Sequence, residues 1–432
     1  MQSGPPIWHS IGMLFRFCMY GFLKNQRYFE PFLFLAFRDK GLSFTLIGAL
    51  IGFREICINL MEIPTGAVAD VLGRRRAMIA SFVFYIAAFA IFGVVEHLAL
   101  LFVAMFFFSV GEAFRTGTHK AIIFDWLAGQ GRAEEKTRVY GHTRSWSQLG
   151  SALSALIAAG LVFTVSDYSA VFLFSIAPYA ANIVNFLTYP AELDGPRSAG
   201  LGLGAFRSVW HALRASLRQV FRHARLRRLL AESMTYEGIH KASKDYLQPV
   251  LRSAALGLPF LLALDAERRT AVLVGVVYSV LYLLSSFASR ASGALAERAR
   301  GEERAARLLW AADLVVFAAM GLAVAASLWP LVIACFVALA VLQNVWRPML
   351  ISRFASGSAR ESMATALSIE SQAKSLFVAA AAPLLGWAVD AVSVQRLDLR
   401  MLPIAAAGVL VSALMLLSGR ARKPATGERP VA

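Results

Sequence analysis

The chain has 432 residues, 58% of them hydrophobic and only 16% charged, with a formal net charge of +16. A soluble chain of this size carries roughly a quarter charged residues, so this one lacks the polar surface that water-soluble domains need. Its basic residues sit in short connections between apolar runs, without zinc-finger spacing, an RNA-binding signature or basic–aromatic interleaving, which argues against nucleic acid as a partner.

Apolar runs of about 20 residues recur from end to end, each long enough to cross a hydrocarbon core of about 30 Å as a helix. Twelve spans are predicted in chain order: 11–37, 44–69, 77–95, 98–126, 139–164, 169–190, 229–251, 270–294, 304–328, 330–352, 363–390 and 401–418. The fourth is long enough to run out into the cytoplasm. The expected fold is all-α and integral to the membrane, with two six-helix bundles over 1–190 and 229–418, a linker over 191–228 and a tail over 419–432.

The N-terminal MQSGPPIWHS lacks the basic flank and small-residue cleavage site of a signal peptide, so the first helix is expected to stay in the mature protein. Cys18, Cys57 and Cys335 lie far apart in apolar segments and read as small buried hydrophobes, not as a disulfide frame or a thiolate site. The seven histidines show no ligand-like spacing, and neither a cofactor nor a metal is expected. Placement of Lys and Arg sets the orientation. With the N-terminus inside, Arg74–Arg76, Arg132, Lys136, Arg138, the arginines of 197–228 and 290–307, and the tail are cytoplasmic, and the C-terminus is inside too.

Residues 64–76 read PTGAVADVLGRRR. Gly66 would remove a side chain where the second span presses on a neighbour, Asp70 marks the membrane exit, Gly73 allows a tight reversal, and Arg74 and Arg75 hold the loop inside. The second half repeats the pattern as ASGALAE at 291–297, followed by Arg298 and Arg300. RYFEPFL at 27–33 matches DYLQPVL at 245–251, and Phe114-Arg115 matches Trp346-Arg347. The offsets of 227, 218 and 232 residues fall in helix order, so the chain reads as an internal duplication.

GAVADVLGRR at 66–75 resembles the loop signature Gly-x-x-x-Asp-(Arg/Lys)-x-Gly-(Arg/Lys)-(Arg/Lys) of the major facilitator superfamily of secondary transporters, with Val71 in place of a basic residue. The stretch EAFRTGTHKAIIFD at 112–125 looks like a pattern of bacterial efflux-type members, although 144–160 lacks the Gly/Pro-rich motif of drug–proton antiporters. The resemblance implies alternating access, with two halves rocking around a site near mid-membrane. It also implies that Asp70 binds near the start of the eleventh helix and that Arg74 joins the same latch.

Charges inside a membrane normally face a bundle interior and mark a pathway. In the first span Arg16, Tyr20, Lys24, Arg27 and Glu30 are spaced 4, 4, 3 and 3, which suits one helical face. In the seventh, Glu237, Lys241, Lys244 and Gln248 are spaced 4, 3 and 4, flanked by His240 and Asp245. In the family resembled, these two helices line the central cavity, so both stripes are candidates for a substrate and proton path. The competing reading is that they only pair with each other, through Glu237–Lys241, Lys241–Asp245 or Arg27–Asp245. Pro31 and Pro249 loosen both helices.

Secondary candidates are Glu55 and Glu62 in the second span, Glu112 and Arg115 in the fourth, Arg144 in the fifth, Arg347 in the tenth, and Glu370 and Lys374 in the eleventh. Asp313 stands alone in the ninth and reads as a helix-end residue. Glu30 and Glu237, each with basic neighbours on its own face, are the expected proton carriers.

In the linker, GLGLG at 200–204 has neither a preceding strand nor a following Gly-Lys-Ser/Thr, so it is no phosphate loop. Residues 206–228 form a basic amphipathic pattern, suited either to anionic lipids of the inner leaflet or to the cytoplasmic mouth of the bundle. Nothing in the chain points to an enzyme. The expectation is a monomeric secondary transporter of the bacterial inner membrane that moves a small, amphiphilic or anionic organic solute. Export in exchange for protons is placed first, proton-coupled import of a solute or metal chelate second, and lipid binding or movement third.

Overall fold

The computed structural model describes residues 7–116, 118–194, 224–257, 263–355, 360–396 and 399–420. Regular structure among them is helical throughout. In chain order the helices are α1 (Ile7–Lys24), α2 (Leu33–Asp39), α3 (Phe44–Leu72), α4 (Arg74–Val94), α5 (Leu98–Arg115), α6 (Thr118–Gly129), α7 (Lys136–Val165) and α8 (Ala170–Leu187). After the linker come α9 (Ala224–Ser243), α10 (Leu247–Leu256), α11 (Ala266–Arg298), α12 (Glu302–Ala325), α13 (Trp329–Ala355), α14 (Arg360–Gln395) and α15 (Leu402–Arg420).

Nine helical stretches among the described residues are long and apolar enough to cross a membrane, fewer than the twelve expected. The difference falls on the first, seventh and twelfth predicted spans. The first breaks between Lys24 and Leu33, with a 3-10 turn at Glu30–Phe32, and the seventh breaks at Lys244–Tyr246. The twelfth is a shorter apolar helix over Leu402–Ser418. Charged side chains and prolines shorten the apolar runs in the first two cases. The two polar stripes therefore do not lie on continuous helical faces.

The break in the first span is closed by a residue of the seventh. Gln248 Oε1 accepts from Phe34 N–H at 2.8 Å, and its Nε2 donates to the Glu30 carbonyl at 2.9 Å. Backbone groups freed from a helix inside an apolar bundle must find such partners, and fully buried Gln248 supplies two.

Two glycines with positive φ make the tight reversals. Gly73 (φ +93°) joins α3 to α4, and Gly301 (φ +132°) joins α11 to α12. A Cβ at Gly73 would stand 2.7 Å from the Asp194 side chain, so both backbone and space demand glycine there. Gly66 is a correction: nothing lies within 4 Å of where its Cβ would sit. The close approach on α3 comes earlier. A Cβ at Gly48 would meet the Ala382 carbonyl oxygen at 2.3 Å, one at Gly52 the Ala379 oxygen at 2.6 Å, and one at Gly386 the Phe44 oxygen at 2.2 Å. Small residues thus let α3 and α14 touch backbone to backbone.

Aromatic rings fill the N-terminal set of helices. Tyr85, Phe89 and Tyr179 meet with centroids 5.0 Å apart in two of their pairs. In the C-terminal set, Tyr236 stacks on Trp346 at 4.2 Å and meets Trp310 edge-on at 4.8 Å. Outward-facing positions stay greasy, with Leu322 74% and Trp387 63% exposed, as a lipid-facing surface requires.

Hydrogen bonds between the two sets gather at one end of the bundle. Arg252 reaches Asp39 at 2.9 Å, Arg268 the Phe163 carbonyl at 2.9 Å, and Asp390 accepts from Phe44 N and Thr45 N at 3.0 and 2.7 Å. Toward the opposite end, which carries the termini and the linker, such bonds among the described residues stop at Glu55–Lys241 and Asn59–Gln372. Among the described residues, hydrogen bonds between the two sets are thus concentrated at one end of the bundle.

Candidate functional site

A cavity of about 360 Å³ lies in the N-terminal set, walled by α1, α5, α6 and α7. Lys24, Arg115, His119, Lys120 and Arg144 face it, together with Tyr20 and Tyr140, and its lining holds no carboxylate. Arg115 is bound to Glu112, which also accepts from Tyr85 OH, so that carboxylate is engaged behind the wall. Lys120 lies over the rings of Phe124 and Tyr140 at 5.4 and 5.6 Å. Lys24 and Arg144 form no ion pair among the described residues. Buried His119 packs against Tyr20, ring centroids 3.7 Å apart. Several cations facing one space repel one another, and a bound anion relieves that repulsion.

A second cavity, of about 240 Å³, lies at the broken turn of the seventh span and is lined by Glu30, His240, Lys244, Asp245, Tyr278 and Tyr282, among others. Lys244 Nζ bridges Asp245 at 2.8 Å and Glu30 at 3.4 Å, tying the two breaks together. Arg27 approaches Glu30 at 3.7 Å.

Between the cavities the charges are paired. Lys241 Nζ lies 2.7 Å from Glu55, and Arg54 holds the same carboxylate at 3.0 Å. Glu237 accepts from Arg347 at 2.9 Å and Lys374 at 2.8 Å, while Glu370 meets the same two cations at 2.9 and 3.4 Å and also binds Ser233. Two carboxylates and two cations make this cluster neutral. The pairs Glu237–Lys241, Lys241–Asp245 and Arg27–Asp245, which spacing allows, are not the ones formed. Glu112–Arg115 and Glu370–Lys374 are formed.

Other candidates lie apart. Arg16 donates to the Thr188 carbonyl at 2.6 Å, at the end of α8, and lines neither cavity. Glu62 sits half-buried on α3, outside both. Asp313 is not a helix-end residue: it is fully buried within α12, 3.1 Å from His240 Nε2, and accepts from Ser412 Oγ at 2.9 Å.

At the end that carries the termini and the linker, Arg74 binds Asp125, while Arg75 bonds the Asp194 carboxylate through its N–H at 3.2 Å and the Tyr189 carbonyl at 2.7 Å. In the C-terminal set, buried Arg353 binds Glu232 at 2.7 Å and Glu303 at 2.9 Å. Composition gives no hint of Arg353, Glu232 or Asp194, because their partners lie far away in sequence. The side chain of Asp70 and its expected partner at the start of the eleventh span lie outside the described residues, as do GLGLG and the 206–223 part of the basic amphipathic pattern. The seventh span starts earlier than predicted, at Ala224, and Arg228 already pairs with Glu232 at 2.6 Å.

The Major Facilitator Superfamily model matches residues 13–371 of this chain. Among curated proteins none matches. Among solved structures, the nucleoside transporter NupG superposes with a TM-score of 0.70 at 13% identity, covering 95% of this chain and 97% of the other. A peptide transporter POT in complex with sulfate gives 0.66 at 14% identity, covering 94% of each chain. A D-xylose–proton symporter gives 0.67 at 13% identity, covering 94% of this chain and 97% of its own. These likenesses concern the fold.

Proposed function

Because the chain belongs to the major facilitator superfamily, we propose that it carries a small organic solute with an anionic group across a membrane by alternating access. The observation that carries this reading is the first cavity, where Lys24, Arg115, Lys120 and Arg144 converge without a carboxylate among them. A site of that charge favours a carboxylate or phosphate and disfavours a cation. Its rings, Tyr20 and Tyr140, provide apolar surface for the rest of an amphiphilic solute. The neutral cluster around Glu237 and the Lys244 bridge at the helix breaks give the C-terminal set polar elements able to exchange partners as the halves rock.

The described state is then inward-facing, closed at the outer end by Asp390, Arg252 and the glycine contacts. We place the protein in a bacterial inner membrane as a monomer, with both termini inside, the orientation resting on the Lys and Arg placement. We put export by proton exchange first, on the efflux-like stretch 112–125, which contributes Arg115, His119 and Lys120 to the cavity. Uptake by proton symport is the second reading, favoured by the shared fold with a D-xylose–proton symporter.

The test is ligand-induced stabilisation of the purified protein against a panel of aliphatic carboxylates, aromatic carboxylates and phosphate esters, followed by flux of the best binder in proteoliposomes under an imposed pH gradient. Lys24→Met and Arg144→Met are expected to weaken anion binding about tenfold or more each, the loss of one charge-assisted contact of about 1.5–3 kcal/mol. Anion binding left untouched by both substitutions overturns the assignment. The direction of the flux relative to the pH gradient decides between export and uptake.

A further inference from the structure

We propose that His240 and Asp313 form the proton-carrying site of this transporter, an inference that rests on the proton-coupled reading above. The carboxylates expected for this task, Glu30 and Glu237, are each held by at least one cation. A carboxylate held in that way already has its charge compensated without a proton. Asp313 is different. It is wholly buried, and its ion-pair and hydrogen-bond contacts among the described residues are with His240 and Ser412, none with Lys or Arg.

The charges call for a proton at this pair. His240 Nδ1 lies 2.7 Å from the Tyr236 carbonyl oxygen, which can only accept, so Nδ1 carries a hydrogen. Nε2 then lies 3.1 Å from Asp313 Oδ1, within ion-pair distance but not aligned as a hydrogen bond, and both atoms are buried without any hydrogen-bond partner among the described residues. A ring lone pair and a carboxylate oxygen, buried face to face, repel unless a proton sits between them. With it, the pair is an imidazolium against a carboxylate, or a neutral ring against a carboxylic acid. Both forms are neutral overall, and both are tolerable in a membrane interior.

The second cavity offers the route for that proton. His240 forms part of its wall, whereas Asp313 does not line it. Nε2 is itself buried, so the ring must turn toward the cavity to take up or release the proton, and release leaves one negative charge on Asp313. Ser412 Oγ–H donates to the other carboxylate oxygen and steadies that charge. Groups facing the pair are few. On α9, Glu237 is held by Arg347 of α13 and Lys374 of α14. The turn adds Lys244 and Asp245, the first span Glu30, and α11 the hydroxyls of Tyr278 and Tyr282. From α12 the ring of Phe317 lies 6.0 Å away, and that of Trp310 packs behind Tyr236. Because the cavity sits at the broken turn where α9 meets the first span, opening or closing the bundle changes the water beside His240 and so its hold on the proton.

The test uses the full-length protein in liposomes. Histidine nitrogen NMR follows His240, identified by the signal that disappears in His240→Gln, while spin-label distances across the outer end follow the opening. We expect the opening to titrate with the His240 signal. Asp313→Asn is expected to lower the His240 midpoint by about one pH unit or more, a tenfold loss of proton affinity, and to uncouple the opening from pH. Ser412→Ala removes a donor that steadies the carboxylate, making it more basic, and is expected to move both midpoints to higher pH. Should Asp313→Asn fail to fold, Ser412→Ala decides, and unmoved midpoints there overturn the proposal. So does a pH-dependent opening that survives Asp313→Asn but is abolished by Glu30→Gln or Glu237→Gln. None of these readouts uses the solute, so a failed dyad leaves the transport reading standing.

Discussion

Asp390, near the end of α14, caps the first turn of α3 in the other set of helices, accepting from Thr45 N–H and Thr45 Oγ1–H, each at 2.7 Å, and from Phe44 N–H at 3.0 Å. A helix leaves its first N–H groups without internal partners, and a carboxylate there gains from both the hydrogen bonds and the helix dipole. Here the cap comes from across the boundary, so it exists only while this end is shut. Asp390→Ala is expected to favour the state in which this end is open by about 1–2 kcal/mol, the usual value of a cap, which is about a 5–30-fold change in population. Spin-label distances between the loops after α7 and α10 measure it.

The glycine contacts of α3 and α14 make a second prediction. A methyl group at Gly48 meets backbone, not a yielding side chain, with the Ala382 oxygen 2.3 Å away. Gly48→Ala is expected to weaken the closed end by about 1–3 kcal/mol, as overpacking generally does. Gly66→Ala, on the same helix but in open space, is expected to change nothing. Cysteine accessibility at the outer end, compared between the two variants, checks this.

The Glu55–Lys241 pair joins the two sets at mid-bundle, with Lys241 retaining 32% side-chain exposure and Glu55 only 1%. Removing Lys241 leaves Glu55 held by Arg54, whereas removing Glu55 leaves both cations without it, and the residual exposure keeps either loss below the about 3–5 kcal/mol of a fully buried pair. Glu55→Gln is expected to destabilise more than Lys241→Gln. Thermal unfolding of the two singles and the double, read as a cycle, gives the coupling.

Gly73→Ala tests the reversal between α3 and α4. The left-handed backbone alone costs about 1–2 kcal/mol for a residue with a Cβ, and the collision with Asp194 adds to it. Lower thermal stability is expected, together with a broken hydrogen bond between Arg75 and Asp194. Gly73→Ala combined with Asp194→Ala is expected to recover the part due to collision and to leave the part due to strain.

The amino-acid sequence reveals most of the membrane-long apolar helices, because these depend on local composition. Gly73 shows how far this goes: it stands just before a helix with positive φ, as the tight reversal read there requires. Pairs within one helix, such as Glu112–Arg115, follow from spacing. What spacing cannot give is the partner on another helix. Glu55 is met by Lys241, 186 positions away, and Asp313, which looks solitary on its own helix, accepts from Ser412, 99 positions away. The breaks at Glu30 and Lys244 are equally hidden. A charged stripe reads as one helical face until Pro31, Gln248 and the freed backbone groups show that the helix ends there.

The basic cavity has a consequence for idle cycling. Lys24 and Arg144 both face it without an ion-pair partner among the described residues, so bringing its walls together while vacant compresses like charges in a poor dielectric. If the cargo is the anion proposed above, it supplies the missing countercharge, and the electrostatics that would select it would also penalise a wasted turn of the machine, discouraging leak without any dedicated lock.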